Sequence, residues 1–331
     1  MAFAWVSSLM ILFKITLSIR RTFLFLIIST ILASLPAVQS HPGDGIDQDS
    51  EGNIYITDVY RKAVWKIDSN RRVTKLLSDH WSHGLCVDTL NRIWVEVEVN
   101  NSHYSIVRIE TDQSVTPVVG PIRRGQDLYG VTILADAQDN LYFPHSYPAN
   151  LFGIGIRKRT SEGIVSLIAG GTKRGHRNGV GPDALFTGVQ SMRFGPDNWI
   201  YLVDQNTIRK VSLDGQVKTL YQGITDPHPK NQPFDNGNPT VSNRIYGLDI
   251  EPGTENVVVA YHGNRSVLRF SETGRQVIYQ SNKPWSPVGV LISGNGILIK
   301  ETGLEPGSNQ TGPRVIRHSS NGAIEKIVTI E

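Results

Sequence analysis

Three histidines are the residues of this sequence best suited to metal chemistry. His83, His145 and His262 lie far apart in the chain, and their imidazoles would suit a zinc ion that keeps a fourth position open for a substrate. The sequence has no HxH or HExxH spacing to support them, and histidines at a polar surface are often solvated or hydrogen-bonded without a metal. The zinc hypothesis therefore depends on a fold that brings three distant segments together.

Glu301, Tyr246 and Tyr129 are the candidate catalytic residues that would accompany such a centre. Glu301 or Tyr246 would act as a base, and Tyr129 would orient the substrate. Other chemistries find no support, because GxSxG and a glycine-rich phosphate loop are both absent from the sequence. Cys86 is the single cysteine and lies in the apolar stretch "GLCVD", which predicts a buried packing role.

Six related segments provide the elements that would position these residues. Each segment has an alternating strand, a turn of Asp, Asn, Gly or Pro, and a second strand rich in aromatic and β-branched residues. The copies are "GIDQDSEGNIYITD" from Gly45, "GLCVDTLNRIWVEV" from Gly84, "GVTILADAQDNLYFPH" from Gly130, "SMRFGPDNWIYLVD" from Ser191, "GLDIEPGTENVVVAY" from Gly247 and "GVLISGNGILIKE" from Gly289.

A third and a fourth strand follow each copy, and every third strand carries a cation at the same position. A cation repeated six times cannot mark one active site, so we assign these residues to the scaffold, at outward-facing positions. Four antiparallel strands repeated six times predict an all-β, six-bladed β-propeller spanning residues 41–331. The cations are Lys66, Arg108, Lys158, Lys210, Arg269 and Arg317.

The repeats resemble those of the NHL family. The family pattern runs from a glycine-started strand through Asp-x-x-Gly-Asn to an aromatic-rich strand that ends in Asp, and "GIDQDSEGNIYITD" matches it closely. The likeness covers nearly all of residues 41–331 and is strongest in the first and fourth repeats. It implies a propeller fold, but propellers of this type include interaction modules, sensors, lyases and lactonases, so it implies little about function.

Strand directions place two sets of residues at one end of the predicted channel, which we call the mouth. If the first strand of each blade runs down the channel and the second returns, the start of one and the end of the other lie at the same end. Asp58 and Asp204 fit the repeat pattern there and are predicted to be structural. Long connections, residues 170–186 among them, are predicted to emerge at the mouth. The predicted ligand contacts are Asp44, His83, Tyr129, His145, Gln190, Tyr246 and Glu301.

Two classes of function fit this arrangement. The first is a binding module that holds a protein, peptide or glycan at the mouth. The second is a metal-dependent lyase or hydrolase that acts there on a small molecule or peptide. Its zinc form is similar to the peptide-amidating lyases, propellers with a histidine-bound zinc at the axis. Its calcium form resembles the gluconolactonase relatives, and only Asp44 and Gln190 are suitable calcium ligands at the matching positions.

The first forty residues predict an export signal. The uncharged run from Thr22 to Val38 follows two arginines and ends in small residues, and "RRTFL" resembles a twin-arginine signal, with an ordinary secretory signal or an uncleaved anchor as alternatives. We therefore expect a secreted, periplasmic or extracellular monomer with no membrane span after residue 40. The chain has 33 basic and 30 acidic residues, and the three basic residues of the leader account for the excess. A neutral mature chain argues against a nucleic-acid partner.

Overall fold

The computed structural model describes residues 43–100, 103–123, 132–146, 153–224, 245–303 and 312–330. These residues form six antiparallel sheets, which confirms the predicted six-bladed β-propeller. The predicted export signal, residues 1–40, lies outside these ranges. Among the helices within them, none has the length and apolar character needed to cross a membrane.

The first three blades each consist of four consecutive strands, ordered from the channel outward. Of these three blades, blade 2 has the longest outer strands and blade 3 has the shortest innermost strand. Their strands are β1 (Ile46–Gln48), β2 (Ile54–Asp58), β3 (Ala63–Ile67), β4 (Val73–Ser78), β5 (Leu85–Val87), β6 (Ile93–Asn100), β7 (His103–Ile109), β8 (Val115–Arg123), β9 (Leu134–Ala135), β10 (Leu141–Ser146), β11 (Ile154–Arg159) and β12 (Val165–Gly170).

The other three blades follow the same order, with one addition. Residues 170–186 were predicted at the mouth, but they supply β13, which pairs with the outermost strand of blade 4. The elements are β13 (Gly179–Val180), the 3-10 helix η1 (Gly181–Asp183), β14 (Val189–Phe194), β15 (Ile200–Asp204), β16 (Thr207–Val211), β17 (Gln216–Gln222), β18 (Ile245–Ile250), β19 (Val257–Tyr261), the 3-10 helix η2 (His262–Asn264), β20 (Ser266–Ser271), β21 (Gly274–Gln280), β22 (Trp285–Ser293), β23 (Gly296–Gly303), β24 (Arg314–Ser319) and β25 (Ile324–Thr329).

Four of the six recurrent cations belong to a repeated trio of side chains. In blade 1 the Tyr55 hydroxyl donates to Asp49 Oδ2 at 2.7 Å, and Lys66 lies opposite Tyr55 with its ammonium 5.8 Å from the ring centre. This arrangement combines a hydrogen bond with a cation–π contact. Lys210 is buried, so its outward-facing placement was wrong. The trio recurs as Asp88, Trp94 and Arg108, as Asp136, Tyr142 and Lys158, and as Asp197, Tyr201 and Lys210.

Apolar side chains fill every junction between neighbouring blades and close the ring. Ile46 and Ile56 of blade 1 share one cluster with Leu298 and Val315 of blade 6. Similar clusters join blades 1 and 2, blades 2 to 4, blades 4 and 5, and blades 5 and 6. Burial of these residues is favourable by roughly 1.5–3 kcal/mol per large side chain, so the junctions dominate the stability of the ring.

At two positions the innermost strands of neighbouring blades approach one another too closely for any residue but glycine. A Cβ atom on Gly289 would lie 2.5 Å from the carbonyl oxygen of Asp44, and one on Gly247 would lie 2.8 Å from Gly289 Cα. Glycine at these positions therefore allows blades 5, 6 and 1 to close around the axis.

Arg193 connects blades across the axis. Its guanidinium contacts both carboxylate oxygens of Asp47 at 3.1 Å and Asp249 Oδ1 at 3.3 Å. Asp47 Oδ2 accepts from the Val87 amide at 2.9 Å, and Asp249 Oδ2 accepts from the Ile292 amide at 2.7 Å. These bonds join blades 1, 2, 4, 5 and 6, and we call them the axial network.

We predict that Arg193→Leu destabilises the protein by about 3 kcal/mol, because it leaves two largely buried carboxylates without their counter-charge. The free energy of unfolding from urea titration tests this value. Arg72→Leu is the matched control, since Arg72 is exposed and its loss should cost less than about 0.5 kcal/mol. Equal stability of the two variants would contradict the role assigned to the axial network.

Candidate functional site

Gln190 and Tyr246, the predicted mouth residues of blades 4 and 5, lie at β-bulges, and blade 6 has a bulge at the matching position. Pairing between the first two strands of each blade shifts register at Gln190, at Tyr246 with Gly247, and at Val288. A bulge redirects a side chain and interrupts pairing, and bulges are frequent next to functional sites. The three neighbouring blades therefore break their repeat at the same level of the channel.

Asp44 lies at this level in blade 1, two residues before the start of β1. Its side chain is buried, and Oδ1 has no hydrogen-bond partner among the residues described. Burial raises the pKa of this carboxyl to about 8, and the positive charge of Lys300 opposes the rise. A carboxyl with such a pKa can carry a proton near neutral pH.

Lys300 of blade 6 is a part of the site that the sequence interpretation missed. Its ammonium donates to the carbonyl of Gly43 at 2.6 Å and to the hydroxyl of Thr57 at 3.1 Å, and its side chain is buried. Burial lowers the pKa of Lys300 to about 8, against the effect of Asp44. The available signal was strand alternation, since Lys300 sits among apolar residues in "GILIKE".

Glu301 points into the junction between blades 5 and 6. Successive side chains of a strand point to opposite faces, so Glu301 points toward blade 5 whereas Lys300 points toward blade 1. It is fully buried and accepts from Arg314 Nε at 2.6 Å, from the Tyr279 hydroxyl at 3.2 Å and from the Ser281 hydroxyl. The carboxylate of Glu301 is thus bonded to residues of blades 5 and 6. The structure gives no support to its assignment as a base or a ligand contact.

Asp204 and Asp58 occupy the corresponding positions of blades 4 and 1 and show the same pattern. Asp204 accepts from Arg209 at 2.9 Å and from the amides of Thr187 and Gly188. Asp58 accepts from the indole of Trp65 at 3.3 Å. Asp58 and Asp204 therefore have structural roles, as predicted, because each is bonded to residues of its own blade or of the connection that leads into it.

Tyr246 and His262 of blade 5 pack against each other. Their ring centres are 5.2 Å apart in an edge-to-face arrangement, and Tyr246 is buried. Burial lowers the pKa of His262 to about 4, although a hydrogen bond to the Pro287 carbonyl favours the protonated form. Nδ1 of His262 is buried without a hydrogen-bond partner in the described part of the chain. The imidazole is therefore neutral at physiological pH.

His145 and His83 are the other predicted ligand contacts within the described residues. His145 is buried at the end of β10, opposite Gly155 of β11. The His83 carbonyl accepts from the amide of Gly45 and the hydroxyl of Thr57, each at 3.0 Å, so its backbone joins blades 1 and 2.

Tyr129 lies outside the described residues. Leu134 pairs with Tyr142 as Asp47 pairs with Tyr55. Thr132 therefore occupies the position of the first-strand glycine. The sequence alignment of this repeat began two residues too early.

The predicted zinc and calcium sites do not fit the residues described. Within the described ranges, no group of three or more His, Cys, Asp or Glu side chains is placed to hold a metal ion, so His83, His145 and His262 do not converge. Calcium takes six to eight oxygen ligands. Asp44 and Gln190 could supply two of them, but the ammonium of Lys300 acts electrostatically on Asp44 and would repel a cation.

A small cavity lies on the axis between the mouth and the axial network. Its volume is about 30 Å³, which is enough for one or two water molecules. Asp44 and Arg193 both line it, together with the first-strand glycine positions. The mouth is therefore separated from the far end of the channel by closely packed backbone.

Comparison with solved structures shows similar folds at low sequence identity. A luciferin-regenerating enzyme is 13% identical over 88% of this chain and 94% of its own, with a TM-score of 0.55. A putative gluconolactonase is 12% identical over 87% and 90%, with a TM-score of 0.52. Virginiamycin B lyase from Staphylococcus aureus is 16% identical over 87% and 85%, with a TM-score of 0.49. No family model and no curated protein sequence matches the chain. The first two similarities show the propeller fold alone.

We predict that Lys300→Met destabilises the protein by about 3 kcal/mol, because it leaves the buried carboxyl of Asp44 without a counter-charge. Adding Asp44→Asn should recover part of this loss, because the side chain at position 44 is then a neutral amide. Urea unfolding of the two single variants and the double variant measures this coupling. Lys326→Met is the control, since Lys326 is exposed. Strictly additive effects of the two substitutions would contradict the electrostatic coupling of Asp44 and Lys300.

We predict that His262 makes stability fall as the pH decreases. The unfolded chain takes up a proton near pH 6.5, whereas the folded pKa is about 4, so the unfolded state binds more protons between these values. The contribution is present above pH 6.5 and its loss by pH 4 amounts to roughly 2 kcal/mol after allowance for partial exposure. His262→Gln should reduce the slope of unfolding free energy against pH in this window. An unchanged slope would show that His262 is not held neutral by the fold.

Proposed function

We propose that this protein is a binding propeller that holds a ligand at the mouth of its channel. The observation that carries the proposal is a pair of acceptor oxygens at one level of the mouth, Asp44 Oδ1 and Gln190 Oε1, which are buried without donors in the described part of the protein. A buried acceptor without a donor costs about 1–3 kcal/mol. A ligand that supplies donors there recovers this free energy on binding.

The chemistry of these atoms selects the class of ligand. Hydroxyl and N–H groups are the donors that neutral acceptors and a carboxyl can bind, and they are abundant in glycans, peptides and small polar molecules. Tyr246 lies at the same level of the channel, but it is buried against His262 and offers no exposed face to a ligand.

The predicted export signal and the resemblance to NHL repeats complete the proposal. We place the protein among NHL-type propellers and its action outside the cytosol, as a monomer that binds a protein, peptide or small-molecule ligand. The repeat "GIDQDSEGNIYITD" supports the family, and the leader of residues 1–40 supports export.

Binding takes precedence over the alternative of a metal-dependent lyase or hydrolase. Lyases and lactonase-like enzymes occur among propellers of this shape, as the names of similar structures indicate. In this chain, however, the candidate zinc ligands do not converge, and Glu301 is bound within the blades. The described residues thus lack the metal centre that the alternative requires.

Screening wild-type protein against glycan and peptide arrays, followed by calorimetry of the hits, tests the proposal. We predict that Gln190→Leu weakens binding of a hit about tenfold, since a lost hydrogen bond to a buried group is worth about 1.4 kcal/mol. Gln138→Leu is the matched control, because Gln138 is exposed in the first turn of blade 3, at the opposite end of the channel. Hits that bind Gln190→Leu and Asp44→Asn as tightly as wild type would overturn the placement of the site.

A further inference from the structure

The end of the channel opposite the mouth opens into a second concavity, which we call the basal funnel. Its volume is about 340 Å³, at the lower end of the range for small-molecule sites, about 300–1,000 Å³. Ten of its thirteen lining residues are apolar, and the other three are the charged residues of the axial network, although polar atoms make up about half of the exposed lining. The apolar lining includes Cys86, Val87, Leu134, Phe194, Leu291 and Ile292.

The axial network forms the floor of the funnel. The side chains of Arg193, Asp47 and Asp249 are 15%, 13% and 12% exposed, so the network is open to the funnel. Two carboxylates face one guanidinium, which leaves one negative charge without a counter-charge. An apolar cavity with a few converging polar groups is the usual form of a small-molecule site.

The hydrogen bonds of the network determine which charge the floor can accept. Arg193 is already bidentate to Asp47 and bonded to Asp249, and the remaining negative charge disfavours an anion. Asp249 Oδ2 accepts one hydrogen bond in the part of the structure described, from the Ile292 amide at 2.7 Å. A carboxylate oxygen has two acceptor directions, so this atom can accept a second donor.

We propose that the basal funnel binds a small organic cation with an apolar body, an arylalkyl or alkyl primary amine. The ammonium would donate to Asp249 Oδ2 and balance the charge of the floor. The hydrocarbon would contact Leu134, Phe194 and Ile292. This site is distinct from the proposed mouth site, and the 30 Å³ axial cavity lies between them.

The electrostatics of the floor support a cation over a neutral ligand. Burial raises the pKa of Asp47, and the nearby charge of Asp249 adds to the rise, while Arg193 and the amides of Val87 and Gln48 oppose it. When both carboxylates are ionised, the single positive charge of Arg193 therefore does not balance their two negative charges. An ammonium in the funnel supplies the missing positive charge, which a neutral molecule of the same shape cannot do.

Isothermal calorimetry of the full chain with three molecules of similar shape tests the proposal at pH 7. The probes are 2-phenylethylamine, 2-phenylethanol and 3-phenylpropionate, which are cationic, neutral and anionic. We expect the amine to bind at least about tenfold more tightly than the alcohol, with no measurable binding of the carboxylate. Equal binding of amine and alcohol, or no binding of the amine at millimolar concentration, would overturn the assignment.

Variants locate the amine. Val87→Trp adds bulk to the funnel wall and should abolish amine binding, whereas Leu213→Trp introduces the same side chain at an exposed turn and should leave it unchanged. Gln190→Leu at the mouth should also leave it unchanged, so failure of this proposal is distinguishable from failure of the mouth site. Unfolding midpoints of the variants verify that each is folded. If Val87→Trp fails to fold, Ala135→Leu serves as the smaller filling variant, and amine binding that survives in a folded filling variant overturns the proposal.

Discussion

The charge balance around Arg193 is the constraint on which the ring depends. Six blades can surround one axis only if the innermost strands approach closely, and at that distance their free polar groups must be satisfied by one another. Arg193 meets this requirement with Asp47 and Asp249. Their carboxylates also accept hydrogen bonds from backbone amides of neighbouring blades, those of Val87 and Ile292. The apolar junctions supply most of the stability, whereas the axial network fixes how the blades meet.

This constraint gives the two ends of the channel different chemistry. The mouth has buried acceptors on Asp44 and Gln190 that find no donor among the described residues, next to a lysine whose ammonium is held by backbone oxygen atoms. The opposite end has an apolar wall above a floor with one excess negative charge. Because closely packed strands separate them, the two ends can bind different ligands independently, and a ligand at one end need not disturb the other.

Departures from the repeat mark function less reliably than they appear to in the sequence. Glu301 and His145 both replace the Asp that usually ends the second strand, yet Glu301 forms the same kind of bond to a third-strand cation as Asp204 does. Gln190 and Tyr246 depart from the repeat at bulges, where the backbone itself changes course. A substitution within a regular ladder is thus compatible with a structural role, whereas one at a bulge changes the surface that a ligand meets.

The sequence alone determined the propeller, because strand alternation and turn residues are local properties that recur in each repeat. It also identified Asp44, Gln190 and Tyr246 as one level of the channel. Tertiary structure decided which residues meet: Lys300 bonds to Gly43 across 257 positions, and the three predicted metal-binding histidines do not meet. The reason is geometric. Alternation assigns a side chain to one face of its strand, but its partner belongs to the next blade or lies across the axis, and closure of the ring sets that distance.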